Sequence, residues 1–462
     1  MIPSLRLSAT DTSLVPLAVC AFLSATAYAA CTWIIPRAMP TFLAANLKGA
    51  DLGKKHTPVL SVLVTVTLFP SKLKQGTCSF THSIYLYMYR PESMGLVTGL
   101  VYLLTLCLLM PALFLTYSAG AFHLSPSLAS KFPSYLSALL SISAMLFLGF
   151  ADDVLNIRWR HKLFLPAFAA LPMLFVYAIE SGVTWVVVPA PLRSLSFTPD
   201  GSIVDLGFLY YVYMLLVAIF ATNSINILAG INGVEAGQSL VIALSLILNS
   251  LVLMLSTTNP VTVQTHLFAL YLLVPFVATS AALVKFNWFP ARVFVGDTFT
   301  YFAGMVLAVV GILGHFSKTL LLFFLPQIFN FVLSVPQLFH LVPCPRHRLP
   351  RRNDSHPRET LLQFSTTTVP LANLSRPSHA LLTLVSNLGL THVVYHKVKD
   401  KDSVTFSNLT LINAVLVTLQ QAQVAPDGVP EDVLCKLVIG LQVVASCVGF
   451  LVRYGLAGIV YP

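Results

Sequence analysis

Charge is what this sequence has least of. Only 10% of its 462 residues are Asp, Glu, Lys or Arg, against roughly 25% in ordinary soluble chains. Hydrophobic residues reach 56%, and mean hydropathy is +0.81. That leaves too little polar surface to coat a water-soluble globule, which excludes a soluble enzyme and a wholly disordered chain. Also missing are a Walker A glycine loop, an HExxH zinc motif and a Ser/His/Asp catalytic order. The seven cysteines are odd in number, scattered and never in CxxC spacing, so they read as packing residues and not as a disulfide framework or zinc site. No RNP-like, zinc-finger or basic-helix pattern occurs. The net charge of +10 therefore reads as basic loops facing anionic membrane lipid, with no nucleic acid partner.

What the chain does have is long apolar runs. A helix needs about 20 apolar residues to cross ~30 Å of hydrocarbon. Ten runs qualify, at 14–35, 94–117, 134–151, 163–180, 206–225, 236–256, 265–284, 298–314, 319–341 and 434–458. The first is too long for a signal-peptide core and reads as a retained span. Loops following the odd-numbered spans, up to the seventh, carry 12 basic residues and the even-numbered loops only 3. The basic side is the cytoplasmic one. This predicts an all-α polytopic membrane protein of about ten transmembrane helices, with both termini on the far side. Residues 1–342 make the membrane domain with spans one to nine. Residues 343–433, rich in Arg, then in Ser, Thr and Pro, then in β-like runs, make a small mixed α/β cytosolic appendage, flexible in part. Residues 434–462 hold the tenth span. Sequons at Asn353, Asn373 and Asn408 would then stay unglycosylated. Residues 56–90 fit none of this: the apolar run Val59–Phe69 is too short to span, and the segment is assigned to a cytosolic loop as an atypical insert.

Polar residues at the ends of spans carry the chemistry. Four elements stand out, all on the predicted cytosolic face. The first, Gly149-Phe-Ala-Asp-Asp-Val-Leu-Asn-Ile-Arg-Trp-Arg-His-Lys162, ends an apolar helix in two carboxylates. Asn156 lies one turn past Asp152 on the same helix face, and Lys162 suits a phosphate as a point charge. The plainer reading is a helix end with snorkelling cations. In the second, Asn223 and Asn226 share a face, while Asn232 and Glu235 also read as a capping box opening the sixth span. In the third, Phe294-Val-Gly-Asp297, Asp297 is a carboxylate or merely an N-cap. The fourth, Pro343-Cys-Pro-Arg346-His347-Arg348-Leu-Pro350, offers a polyanion clamp or a positive-inside anchor. Carboxylates and amide oxygens suit Mg²⁺, which keeps sites open for substrate phosphates. Together the elements point to metal-assisted phosphoryl transfer at a membrane surface. The alternatives are a transporter, whose charges belong near the midplane, and an inactive scaffold.

In this order the four elements, with Pro91-Glu-Ser-Met-Gly95, closely resemble the eukaryotic UDP-N-acetylglucosamine–dolichyl-phosphate N-acetylglucosamine-1-phosphotransferases, a branch of the polyprenyl-phosphate aminosugar-1-phosphate transferase family. The resemblance covers nearly all of 91–350 and weakens before 55 and after 352. It implies ten spans in the endoplasmic reticulum membrane, an active site facing the cytosol, dependence on Mg²⁺, sensitivity to tunicamycin, and a reaction of UDP-GlcNAc with dolichyl phosphate giving GlcNAc-PP-dolichol and UMP. Another sugar or polyprenyl phosphate is the nearest alternative, and a homodimer is left open. By resemblance, Asn226 and Asp297 match metal ligands. Lys162 and Arg346 match groups on the phosphates, and His347 and Arg348 match the aminosugar–pyrophosphate clamp. Glu92, Asn232 and Phe294 match uridine-side contacts. Asp152 and Asp153 match the acidic pair, whose role is either to activate the acceptor phosphate or to organise the site. From the motifs themselves, Asn223 joins the catalytic group, and Asn156 and Glu235 join the substrate-binding one. The chain departs from the family where about 35 extra residues separate Asp51-Leu52 from Pro91, either a retained intron in the gene model or a lineage insertion.

Overall fold

A computed structural model describes residues 14–50, 89–118, 121–124, 129–188, 190, 193, 203–345, 347–353, 361–398 and 401–456. Most of the 56–90 insert therefore lies outside the described residues. α1 (Leu14–Ala44) runs well past the predicted span and ends in a short ladder, β1 (Lys48–Ala50) against β2 (Tyr89–Pro91), in which Lys48 pairs with Pro91 and Ala50 with Tyr89. The two ends of the extra segment are thus neighbours. α2 (Gly95–Phe114) leads to the hairpin β3–β4 (Leu115–Ser118, Ala121–Leu124). α3 (Phe132–Leu155), the single turn α4 (Trp159–Lys162) and α5 (Leu165–Glu180) come next. A second hairpin, β5–β6 (Trp185–Val187, Ile203–Asp205), precedes α6 (Phe208–Ile227). α7 (Val234–Ser256), α8 (Pro260–Asn287), α9 (Gly296–Leu313), α10 (Ser317–Phe323) and α11 (Leu325–Leu338) complete the first part of the bundle.

Among the described residues, eight helices are long and apolar enough to cross a membrane, or nine if α10 and α11 count as one. Two expected spans differ from the sequence reading. α5 has 16 residues, about 24 Å at 1.5 Å each, short of the ~30 Å core. The expected straight span 319–341 is instead bent by 71° between α10 and α11. Pro326 sits in the first turn of α11. It lacks an N–H and its ring crowds the preceding turn, which suits it to open a helix, and the break falls just before it.

The bundle is built around α9. Every residue from Thr298 to Leu313 is buried, and α9 is packed chiefly by α3 and α6. Its small residues allow this. A Cβ on Gly304 would lie 2.4 Å from the Thr222 backbone, and one on Gly149 of α3 would lie 2.8 Å from Thr298 Cα. Outward-facing apolar side chains such as Phe147 (69% exposed), Phe168 and Phe175 mark a lipid-facing surface, the inverse of a soluble fold. Beyond α11 lies a small mixed appendage. It holds a sheet ordered β12–β8–β7 (Val429–Pro430, Leu361–Gln363, Arg351–Arg352) and another ordered β10–β11–β9 (Val393–Val398, Lys401–Ser407, Thr366–Pro370). Its helices are α12 (Arg376–Asn387) and α13 (Leu411–Gln421). The Ser/Thr/Pro-rich stretch 355–378 contains β8 and β9 among its described residues. α14 (Glu431–Phe450) and the turn Leu451–Leu456 close the chain.

Candidate active site

One end of the bundle gathers polar groups from four separate segments. α3 ends at Leu155, and Asn156 turns left-handed (φ 50°) as its C-cap, donating its backbone N–H to the Asp152 carbonyl. The expected helical face shared by Asp152 and Asn156 is therefore absent: the helix stops first, and Asn156 is exposed. The chain then folds back through α4, which returns Lys162 to the carboxylates. Lys162 Nζ lies 2.9 Å from Asp152 Oδ2 and 2.8 Å from Asp297 Oδ2. Asp297 Oδ1 accepts a 2.8 Å bond from Asn226 Nδ2 at the end of α6. Asp152 is 1% exposed and also accepts from the Tyr301 hydroxyl at 3.1 Å and the Ile157 N–H at 3.1 Å.

The neighbouring carboxylate is held differently. Asp153 accepts from the Asp297 N–H (2.7 Å), the Thr298 N–H (3.1 Å) and the Thr298 hydroxyl (2.5 Å). These amides open α9 and have no intrahelical acceptor, so Asp153 caps α9 from α3, and its charge suits that helix end. Asp297 itself is not the cap; Val295 holds that position. The approach needs Gly296, whose φ is +73° and whose Cβ would fall 2.3 Å from Asp153 Oδ2.

Beside the cluster is a cavity of about 230 Å³. Six of the residues singled out from sequence line it: Glu92, Asn226, Asn232, Glu235, Phe294 and Asp297. Backbone bonds set its rim: the Phe294 N–H donates to Pro91 O, and Met94 and Gly95 donate to Phe294 O and Val295 O. The capping box expected at Asn232/Glu235 does not form. Gly233 (φ +91°) is the N-cap of α7, while Glu235 Oε1 accepts from the Gly230 N–H at 3.3 Å, bracing the loop. The Asn232 N–H donates to Glu431 Oε1 of α14 at 2.8 Å.

Other expected residues sit outside this cavity wall. Asn223 turns its amide to the Ile219 carbonyl of its own helix. His347 is exposed, and Arg348 Nη1 reaches the Leu409 carbonyl of the appendage at 3.4 Å. Arg346 lies outside the described residues. Sequence reasoning missed Tyr301, although its spacing four after Asp297 puts it on the same helix face. It also missed Asn287, which accepts from the Gly233 N–H and donates to Val293 O. No motif announces that residue.

Electrostatics follow the geometry. Burial alone would lower the Lys162 ammonium, but Asp297 and then Asp152 outweigh it and raise its pKa, so it stays charged. Burial pushes the Glu92 carboxyl up, and the Asp153 and Asp297 charges add to that. Among the described residues, no group of three or more His, Cys, Asp or Glu is placed to hold a metal unaided. Any ion here would need amide, water or substrate oxygens as well. Such a site — one ammonium among several carboxylates, with an amide and an open cavity — is short of positive charge, so it would take a polyanion only together with a cation.

Comparison with known proteins defines the class first. The model of the "Glycosyl transferase family 4" matches residues 135–315, the stretch that runs from within α3 to just past α9. Across nearly the whole chain, a Schizosaccharomyces pombe protein named UDP-N-acetylglucosamine–dolichyl-phosphate N-acetylglucosaminephosphotransferase is 44% identical over 457 residues, covering 95% of this chain and 92% of its own. Proteins of the same name from Saccharomyces cerevisiae (39%, 94% and 90%) and Dictyostelium discoideum (45%, 91% and 85%) agree. The chain belongs to the eukaryotic UDP-N-acetylglucosamine–dolichyl-phosphate N-acetylglucosamine-1-phosphotransferase family. It is an enzyme, and its reaction is transfer of a sugar 1-phosphate to a polyprenyl phosphate.

Proposed function

We propose that the chain transfers GlcNAc-1-phosphate from UDP-GlcNAc to dolichyl phosphate, releasing UMP, at the cytosolic face of the endoplasmic reticulum membrane through ten spans. The observation that carries this is the convergence of Asp152, Lys162, Asn226 and Asp297 beside one cavity at one end of the bundle. The names of the relatives supply the donor and acceptor.

The residue types fit a Mg²⁺ ion: Asp297 would hold it together with Asn226, once the Asn226 amide, whose nitrogen now donates to Asp297, turns its oxygen to the open cavity both residues line. When bound, Mg²⁺ supplies charge neutralisation on the pyrophosphate as UMP departs. The remaining work falls to the chain. The Lys162 ammonium has three donors and two carboxylate partners, which leaves one donor for a phosphate, and Arg346, His347 and Arg348 are the cationic and imidazole groups assigned to the sugar–pyrophosphate. Glu92, Asn232, Glu235 and Phe294, which line the cavity, shape the uridine end. The acceptor phosphate is already largely ionised at about pH 7, so positioning matters more than a strong base. Asp152 orients Lys162, and Asp153 orients Asp297 by capping its helix. Attack on the β-phosphorus breaks a P–O bond and spares the sugar C1–O bond, so the anomeric configuration is retained.

The test is transfer of labelled GlcNAc-1-phosphate to dolichyl phosphate by the purified chain, with and without Mg²⁺ and tunicamycin. Labelled lipid should form only with Mg²⁺ and be blocked by tunicamycin. Transfer of a different donor sugar in a panel, or none of GlcNAc, overturns the substrate assignment. Asp297→Ala should cut transfer at least about a hundredfold with the folded yield unchanged; near-normal activity removes the metal assignment.

A further inference from the structure

Three glutamines lie inside the apolar bundle, where amides are expensive: Gln238 (1% exposed) of α7, Gln327 (0%) of α11 and Gln442 (1%) of α14. They form one directed run of hydrogen bonds. Gln442 Nε2 donates to the Phe323 carbonyl at 2.8 Å, at the last residue before the bend between α10 and α11. Gln327 Nε2 uses both protons, one on Gln442 Oε1 (2.7 Å) and one on Gln238 Oε1 (2.8 Å). Gln238 Nε2 does the same on the carbonyls of Leu228 (2.8 Å) and Ile225 (3.2 Å). Those two carbonyls lie at the C-terminal end of α6, where helix carbonyls lack intrahelical partners, and they bracket Asn226. The side chain of Asn226 is the one that meets Asp297.

Apolar side chains would fill this volume at lower cost, since burying an amide is favourable only when its bonds are made, and the Gln327 Oε1 is buried without a partner. What the amides add is direction. We infer that Gln238, Gln327 and Gln442 are positioning residues: they tie the bend of the α10–α11 pair and the last helix to the end of α6, and so fix where Asn226 is presented to the ion and pyrophosphate. This rests on the function proposed above.

The test uses the purified full-length chain with Mn²⁺ as the probe ion and UMP present, counting free Mn²⁺ by electron paramagnetic resonance alongside a thermal unfolding midpoint. Gln327→Leu and Gln238→Met should each weaken Mn²⁺ binding about tenfold, as loss of a supporting partner behind a ligand does. In an Asn226→Ala background neither should weaken it further, because both act through Asn226. A lowered midpoint with an unchanged Mn²⁺ constant, or losses that add to that of Asn226→Ala, overturns the inference and leaves the amides as packing. Should Gln327→Leu fail to fold, Gln238→Met and Gln442→Met decide by the same readout. A wild-type chain that neither binds Mn²⁺ nor transfers sugar phosphate defeats the proposed function instead. A competent wild type with unaffected glutamine variants defeats this inference alone.

Discussion

Lys162, Asp152, Asn226 and Asp297 are held by one another across helical segments, whereas Arg348 is held by the backbone of the appendage. The first group sits at the ends of packed helices, where a shift of one side chain strands another's charge. The second sits on a loop whose prolines and appendage contacts set its course. Ser365 Oγ and Asn413 Nδ2 both bond the Arg348 carbonyl, so the loop is anchored through its main chain as well. The difference predicts a division of labour. Groups on helix ends belong to a rigid reaction centre, and groups on the loop belong to substrate capture.

The largest effect should come from breaking the helix-end cluster. Lys162→Met leaves Asp152 buried beside Asp297 without a cation. Removing one partner of a buried pair costs about 3 kcal/mol, discounted somewhat because Lys162 is 24% exposed. A clear drop in the thermal midpoint and loss of most transfer are expected; a stable, active variant breaks the comparison. Arg348→Ala should do less to the fold, costing about 1 kcal/mol for one hydrogen bond. It should raise KM for UDP-GlcNAc with little change in kcat. If kcat falls instead, the loop belongs to the reaction centre and the contrast is wrong.

The smallest effect is a pH dependence at Glu92. Its pKa in the folded chain lies above the ordinary 4.5, from burial first and then from Asp153 and Asp297. Its contribution to stability is fully present below pH 4.5 and is lost as pH rises through the folded value. Glu92→Gln should therefore match the wild type in acid and unfold at a higher temperature than it near neutrality. Parallel midpoint–pH curves for the two would show that Glu92 titrates as an ordinary surface carboxylate.

Asp152 and Asp153 show where reading the chain runs out. Their adjacency at a helix end marked them both, and nothing in that text separates one that meets a lysine from one that caps α9. The separation depends on Gly149 and Gly296 letting α3 approach the start of α9 within van der Waals distance. Asn156 was placed on the wrong face because a left-handed cap ends α3 one residue early. The bend before Pro326 and the short α5 were equally hidden, since hydropathy reports burial in lipid and says little about where a helix breaks. Gln327 and Gln442 stand inside apolar runs with no motif around them, and the link from Gln238 to both exists only in the packed bundle.

Composition and the spacing of apolar runs were enough to establish a many-helix membrane protein with its polar chemistry at the helix ends, because hydrocarbon tolerates few other arrangements. The four motifs sufficed for the family, as their residue types are dictated by phosphate and ion chemistry. Which carboxylate meets Lys162, which one caps a helix, and how the end of α6 is steadied came only from packing. Those are matters of distance between segments far apart in the chain, and linear order carries no record of them.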